Sequence, residues 1–350
     1  PPPPPPRDSI RRQRQMCIRD SFRDGPARAL QVLPLTMTPP KGSPDPRVLW
    51  KWLEMYEEKT GGDVLAIPHN GNLSNGMMFA LQDDFAEGAP LDAEYATARQ
   101  KWERLYEVTQ NKGDGEAHPF LSPDDGFADF ETWDYGNLDA SVPKASGMLP
   151  GEYARSGLLR GLALEAELGA NPFKFGLVGA SDNHIGLTTP DNDNFFGKFT
   201  AYEPGPERSR HVSKTYADGA TALNSWQYIT SGLTAVWAES NTRGAIFDAM
   251  ERREVYATTG PRMRVRFFGG RDFDEADVRG RNLAHEGYSK GVPMGGDLPA
   301  GDGAPSFLVY ALRDPMGANL DRVQIVKGWV AADGTPQEAV YDVAWSDGRV

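Results

Sequence analysis

The chain has 350 residues and a mass of 38.4 kDa, enough for one large domain or a large domain with a smaller companion. Its formal net charge of -12 and pI near 5.0 argue against a nucleic-acid groove, because phosphates are held by clustered Lys and Arg. A single cysteine, Cys17, leaves neither a disulfide nor a thiolate zinc cluster, and no apolar run approaches the ~20 residues of a membrane helix.

Residues 1–28 open with six prolines and carry seven arginines, no lysine and three acids, so the segment has a charge of +4 and the remainder -16. No helical or alternating period runs through it, and disorder is expected. A transit peptide lacks such a proline run, and a secretory signal needs an apolar stretch that is missing. Gln15 to Ser21 looks like translated sequencing adapter, so the segment is set aside from the fold.

Folding signals begin at Asp45-Pro46, a helix cap followed by proline at the first helical position; Leu49, Leu53 and Tyr56 then recur at helical spacing until Gly61-Gly62. Val64 to Ile67 reads as a buried strand that delivers Pro68-His69-Asn70-Gly71-Asn72 into a loop. Asp92 to Glu103 reads as helix and Leu105 to Thr109 as strand, ending in Gln110-Asn111-Lys112-Gly113. Ser156 to Glu167 repeats the helical pattern, and Phe175 to Ala180 leads into Ser181-Asp182-Asn183-His184. Gly244 to Arg253 and Val255 to Ala257 make a last helix and strand. Alternating helices and short buried strands imply an α/β fold, a parallel sheet or barrel whose reactive groups gather at the carboxyl ends of the strands. After Arg262 come β-prone runs, Val265 to Phe268, Phe307 to Leu312, Arg322 to Val326 and Ala339 to Trp345, which suggest a trailing antiparallel module.

Asp182 and His184 form an Asp-x-His at a strand end, where alternate positions of an extended segment point the same way and both reach one divalent cation. The competing structural reading is a helix cap by Asp182 beside a surface His184. His69, just beyond another strand, shifts the balance, since only five histidines exist. Glu107, Lys112, Glu116 and His118 belong to the strand and loop between: a carboxylate there could complete a metal shell and Lys112 could neutralise an anion, against the reading of a solvated charged loop. His211 and His285 are read as surface residues. Gly179 to Asn183 departs from a nucleophile elbow at its last position, and Asp191 to Asn194 lacks the glycine and glutamate of a calcium loop.

Ile67 to Gly76, Gln110 to Pro119, Ala180 to Gly186 and Tyr256 to Met263 resemble successive motifs of the family called domain of unknown function 3604, itself similar to the PHP (polymerase and histidinol phosphatase) metallohydrolases. The resemblance runs from about Leu30 to Val350. It implies a distorted β/α barrel over residues 29–262, a β-rich, sandwich-like module over 263–350, and a site of two or three metals with phosphoester hydrolysis as the nearest chemistry. His69, Asp182 and His184 match ligand positions of the family pattern. Glu116 matches a motif position and is taken as a further metal ligand, with Lys112 and Asn70 as catalytic candidates. Manganese, zinc and iron all suit such a shell. PHP enzymes begin with a His-x-His that nothing before His69 supplies, so the chain is expected to be truncated at both ends and weak in metal binding. The expected partner is a small-molecule ester, with neither nucleic acid nor a membrane span, and an exported location is expected for the intact parent. Sulfate ester, amide or carbamate hydrolysis, and a binding protein with a vestigial barrel, are the alternatives.

Overall fold

The computed structural model describes residues 19–22, 43–185, 198–199, 203–216, 219, 222–228 and 232–348. The fold is mixed α/β, with six α-helices and several small sheets among these residues. Helix α1, Pro46–Thr60, starts where the Asp45 carboxylate accepts from the Arg47 amide at 3.0 Å and stops at Gly61, whose φ of 65° is the left-handed cap that a glycine adopts without strain. It buries Trp50, Leu53 and Tyr56 against strand β1, Val64–Ile67, and helix α2, Ala93–Trp102, which Asp92 caps through the Tyr95 amide.

Strand β2, Leu105–Gln110, is the centre of the fold. It pairs in parallel with strand β3, Gly176–Gly179, setting Leu105 opposite Gly176 and Glu107 opposite Val178. On its other side the Glu107 amide donates to the Pro68 carbonyl at 2.9 Å, and Leu65 shares a core cluster with Leu105, so β1 runs alongside in the same direction. The period of two along β2 divides the interior. Leu105 joins Leu65, Val178, Phe247 and Val255, whereas Tyr106 and Val108 pack with Phe79, Leu164 and Phe173 beneath helix α3, Ala154–Leu168. α3 begins earlier than the apolar pattern suggests, because the Ala154 and Arg155 amides donate to the carbonyls of Gly115 and Glu116 at 2.8 and 3.0 Å in place of a capping side chain.

Beyond β3 the parallel pattern ends. Val255–Thr258, expected to continue it, pairs antiparallel with Leu233–Val236, a strand the sequence did not announce. The loop into Leu233 lies against β3: the Gly232 amide donates to the Ala180 carbonyl at 3.1 Å, and a Cβ on Gly179 would sit 2.8 Å from the Leu233 carbonyl oxygen. Such an approach is open only to glycine. A hairpin of Val212–Thr215 with Ala222–Asn224 is likewise additional. The pairings among the described residues form two- and three-stranded sheets, and a closed ring of pairings is not among them.

The carboxyl-terminal quarter is antiparallel as expected. Arg264–Gly270 lies between Gly291–Pro293 and Ser306–Leu312, and Arg322–Val330 pairs with Pro336–Trp345 in a ribbon that packs on α3, with Gly328 against Leu159. One correction concerns the amino-terminal segment. Arg19–Phe22, within the stretch expected to be disordered, pairs antiparallel with β1 from Arg19 opposite Ile67 to Phe22 opposite Val64. Backbone groups on a strand edge accept any extended partner, so composition does not forbid the pairing.

Phe79 is fully buried, 5.4 Å from the Phe173 ring and 5.1 Å from the Tyr106 ring in edge-on contacts. Phe79→Ala is expected to lower the unfolding free energy by about 3–5 kcal/mol in denaturant titration. A loss under about 1 kcal/mol would mean that this cluster is loosely packed.

Candidate functional site

Three loops leave the carboxyl ends of β1, β2 and β3. The first turns at once, because Asn70 takes a left-handed φ of 60°, which Asn tolerates, and opens a 3-10 turn over Gly71–Leu73. Its Oδ1 accepts from Gln110 Nε2 at 2.8 Å, Gln110 Oε1 accepts from the Lys112 amide at 2.9 Å, and Asn72 Nδ2 donates to the Lys112 carbonyl at 2.9 Å. The first two loops are thereby stitched together. Lys144 holds the stitch from behind, donating at 2.6 Å both to the Asn72 carbonyl and to the fully buried Glu152 carboxylate.

The loop after β2, for which a solvated charged loop was the alternative to a reactive one, is buried from Asn111 to Gly115. Asn111 is fully enclosed, and Gly113–Asp114 folds back antiparallel on Thr109–Gln110. That reversal turns Lys112 inward to an ion pair with Asp182 Oδ2. Lys198 pairs with the same oxygen. Its Nζ also lies 3.2 Å from the Asp182 carbonyl and 3.3 Å from His184 Nε2, which is itself 3.3 Å from Asp182 Oδ1. Asp182, Lys112 and Lys198 are all more than nine-tenths buried. Asp182 and His184 do meet, although not through an extended segment, because Asp182 has a φ of 48° and the chain has left β3.

Burial alone would raise the Asp182 carboxyl, yet the His184 hydrogen bond and the charges of Lys112 and Lys198 hold it well below the usual carboxylate range. Lys198 is pulled down to about 7, first by burial and then by the neighbouring charge of Lys112, with Asp182 opposing both. Among the described residues two lysines share one carboxylate, so one positive charge is left over when Lys198 is protonated, below about pH 7.

Lys198 was not legible in the sequence. It follows Gly197 outside any motif, and its one signal is that it is the only Lys or Arg between Lys174 and Arg208. Its backbone is held by Glu203, whose Oε2 accepts from the Lys198 amide at 2.6 Å and whose Oε1 accepts from Arg208 Nε at 2.9 Å. Asn111 was also missed; its Nδ2 donates to the Asp182 carbonyl at 3.4 Å.

The remaining expected residues are placed as follows. His69 is half-buried between Pro68 and Asn70, at the end of β1. Glu116 lies elsewhere: Arg155 donates to its Oε1 from Nε at 2.9 Å and Nη2 at 2.8 Å while Nη1 engages Asp125 at 2.7 Å. His118 Nε2 pairs with Asp134 at 3.0 Å. His285 is exposed, whereas His211 is half-buried, with Nδ1 2.9 Å from Ser225 Oγ. The turn expected at Asp191 to Asn194 lies outside the described residues.

As a cation site, Asp182 and His184 offer the right atoms, a carboxylate oxygen and an imidazole nitrogen 3.3 Å apart. A group of three His, Cys, Asp or Glu side chains suited to a metal ion is not found among the described residues. The pair therefore fits as part of a donor set.

The family model described as Protein of unknown function (DUF3604) matches residues 15–350. The chain belongs to that family. The match starts within the amino-terminal segment and runs through the parallel strands and the β-rich carboxyl-terminal region alike. Neither a curated protein nor a solved structure matches the chain. The family carries no activity with it, so the geometry alone supports the functional reading.

Beside this site Asp114 is pushed up to about 8 by burial and by Glu116, and Glu131 up to about 7 by burial. A carboxyl whose folded pKa lies above its unfolded value keeps its proton longer in the native state, so stability falls as pH rises between the two values and levels off above the folded one. Stability is expected to decline from about pH 4 to about pH 8, and Asp114→Asn to flatten that decline. Parallel pH profiles of unfolding for the two proteins would contradict the assignment.

Proposed function

We propose that this protein is a metal-dependent hydrolase, phosphoesterase-like and related to the PHP enzymes, with the β1, β2 and β3 run as part of a distorted barrel. The observation that carries the reading is the meeting of Asp182 and His184 at 3.3 Å beside two buried lysines at the carboxyl ends of parallel strands. Asp182 and His184 would hold a divalent cation, manganese, zinc or iron, and His69, at the end of β1 and not grouped with them among the described residues, would have to approach to add a third donor. Such a cation lowers the pKa of a water and polarises the ester oxygen. Lys112 offsets the charge that develops on the leaving ester, as an ammonium fixed in a buried setting is effective there. Asn70 fixes Gln110 and through it the Lys112 amide, so its part is to keep that ammonium in place. Glu116, held by Arg155, serves the junction with α3 in this arrangement.

A second reading, a non-catalytic binding protein with a vestigial barrel, draws support from the two ammonium groups that already claim the Asp182 carboxylate. Metal analysis and a panel of chromogenic phosphate, sulfate and carboxyl esters with manganese and with zinc separate the two. The hydrolase is expected to bind metal and turn over phosphoesters, with Asp182→Ala and His184→Ala each losing both properties at least tenfold. Unchanged metal content and turnover in both variants would end the hydrolase reading.

A further inference from the structure

Lys112 and Lys198 make a stronger arrangement than a single anion contact. Their ammonium groups converge on one oxygen, Asp182 Oδ2, from separate loops, and both side chains are more than nine-tenths buried. Each is held in position by its own backbone partners. Gln110 and Asn72 fix the Lys112 peptide, while Glu203 fixes the Lys198 amide and has its own charge balanced by Arg208. Among the described residues two lysines against one carboxylate leave a buried positive surplus when both are protonated. A buried surplus of this kind is stabilised by a second negative charge. Two converging ammonium groups suit an oxyanion whose oxygens point in several directions.

We propose that Lys112 and Lys198 form a two-ammonium receptor for the tetrahedral oxyanion of a phosphate or sulfate ester, a seat that the Asp182 carboxylate fills until a divalent cation draws it away. The receptor itself stands on the charge arrangement; only the release by a cation rests on the hydrolase reading. Because the carboxylate competes with the oxyanion for the same two donors, and the cation competes with those donors for the carboxylate, cation and oxyanion favour each other's binding. By linkage, the factor is the same in both directions.

Isothermal titration of the full chain with inorganic phosphate, sulfate and acetate, first with chelator and then with manganese, tests the receptor. Asp182→Asn is expected to tighten phosphate or sulfate at least tenfold without metal, and Lys198→Met or Lys112→Met in that background to weaken it at least tenfold, as loss of one charge-assisted hydrogen bond does. Acetate should gain little. The tighter of phosphate and sulfate names the ester class. Should one lysine variant fail to fold by circular dichroism, the other reports on the same seat. Manganese should tighten the oxyanion in the natural sequence and not in Asp182→Asn. Wild-type protein that binds no manganese but shows the Asp182 and lysine effects supports the receptor and ends the hydrolase reading. Manganese binding with oxyanion affinity unmoved by all three substitutions overturns the receptor and leaves the hydrolase reading standing.

Discussion

One buried carboxylate organises this protein. Asp182 sits beyond the end of β3 with two lysine amino groups on one oxygen and an imidazole on the other, the carboxylate and both lysines being withdrawn from water. Taking such charges out of solvent costs several kcal/mol per ion, and only close, well-oriented partners offset it. The loops that bring those partners must therefore be fixed, and each is: Gln110 and Asn72 hold Lys112, and Glu203 holds Lys198. The surrounding hydrogen bonds serve that one ionic contact, and through it three segments far apart in sequence share a single geometry.

The parallel strands make this convergence possible. β1, β2 and β3 run side by side, so their carboxyl ends open at one edge and their loops meet there. Small residues then set how closely the layers approach. A Cβ on Gly71 would fall 2.0 Å from the Tyr106 hydroxyl, and Gly179 admits the Leu233 backbone, so the loop after β1 and the strand beyond β3 both close on the edge without a side chain between. Lys144 and Glu152 carry the restraint outward to the region that precedes α3.

Local signals in the sequence were enough for much of this. Asp45-Pro46 and Gly61 bound α1 as capping chemistry requires, Asp92 caps α2, and the short apolar runs became β1, β2 and β3 because their burial needs no distant information. Asp182, His184 and Lys112 stood out as reactive side chains at strand ends and are brought together. What escaped depends on tertiary partners. Leu233–Val236 has too few residues to show a period, and its antiparallel pairing with Val255–Thr258 is fixed by contact with β3. The start of α3 is set by carbonyls from a distant loop rather than by a cap. Lys198 carries no motif, since a lone lysine is informative only once folding has placed it beside a carboxylate. The charged loop around Lys112 left a solvated reading open, because sequence polarity does not reveal that its charges find partners inside.

The ionic contact at the centre is best tested by a double-mutant cycle between Asp182 and Lys112, with Asp182→Asn, Lys112→Met and the pair compared in denaturant unfolding. A buried, charge-assisted pair should give a coupling energy of about 1.5–3 kcal/mol, with the double variant less destabilised than the two single losses combined. A coupling energy near zero would show that the two side chains do not hold each other and would contradict the account of the site.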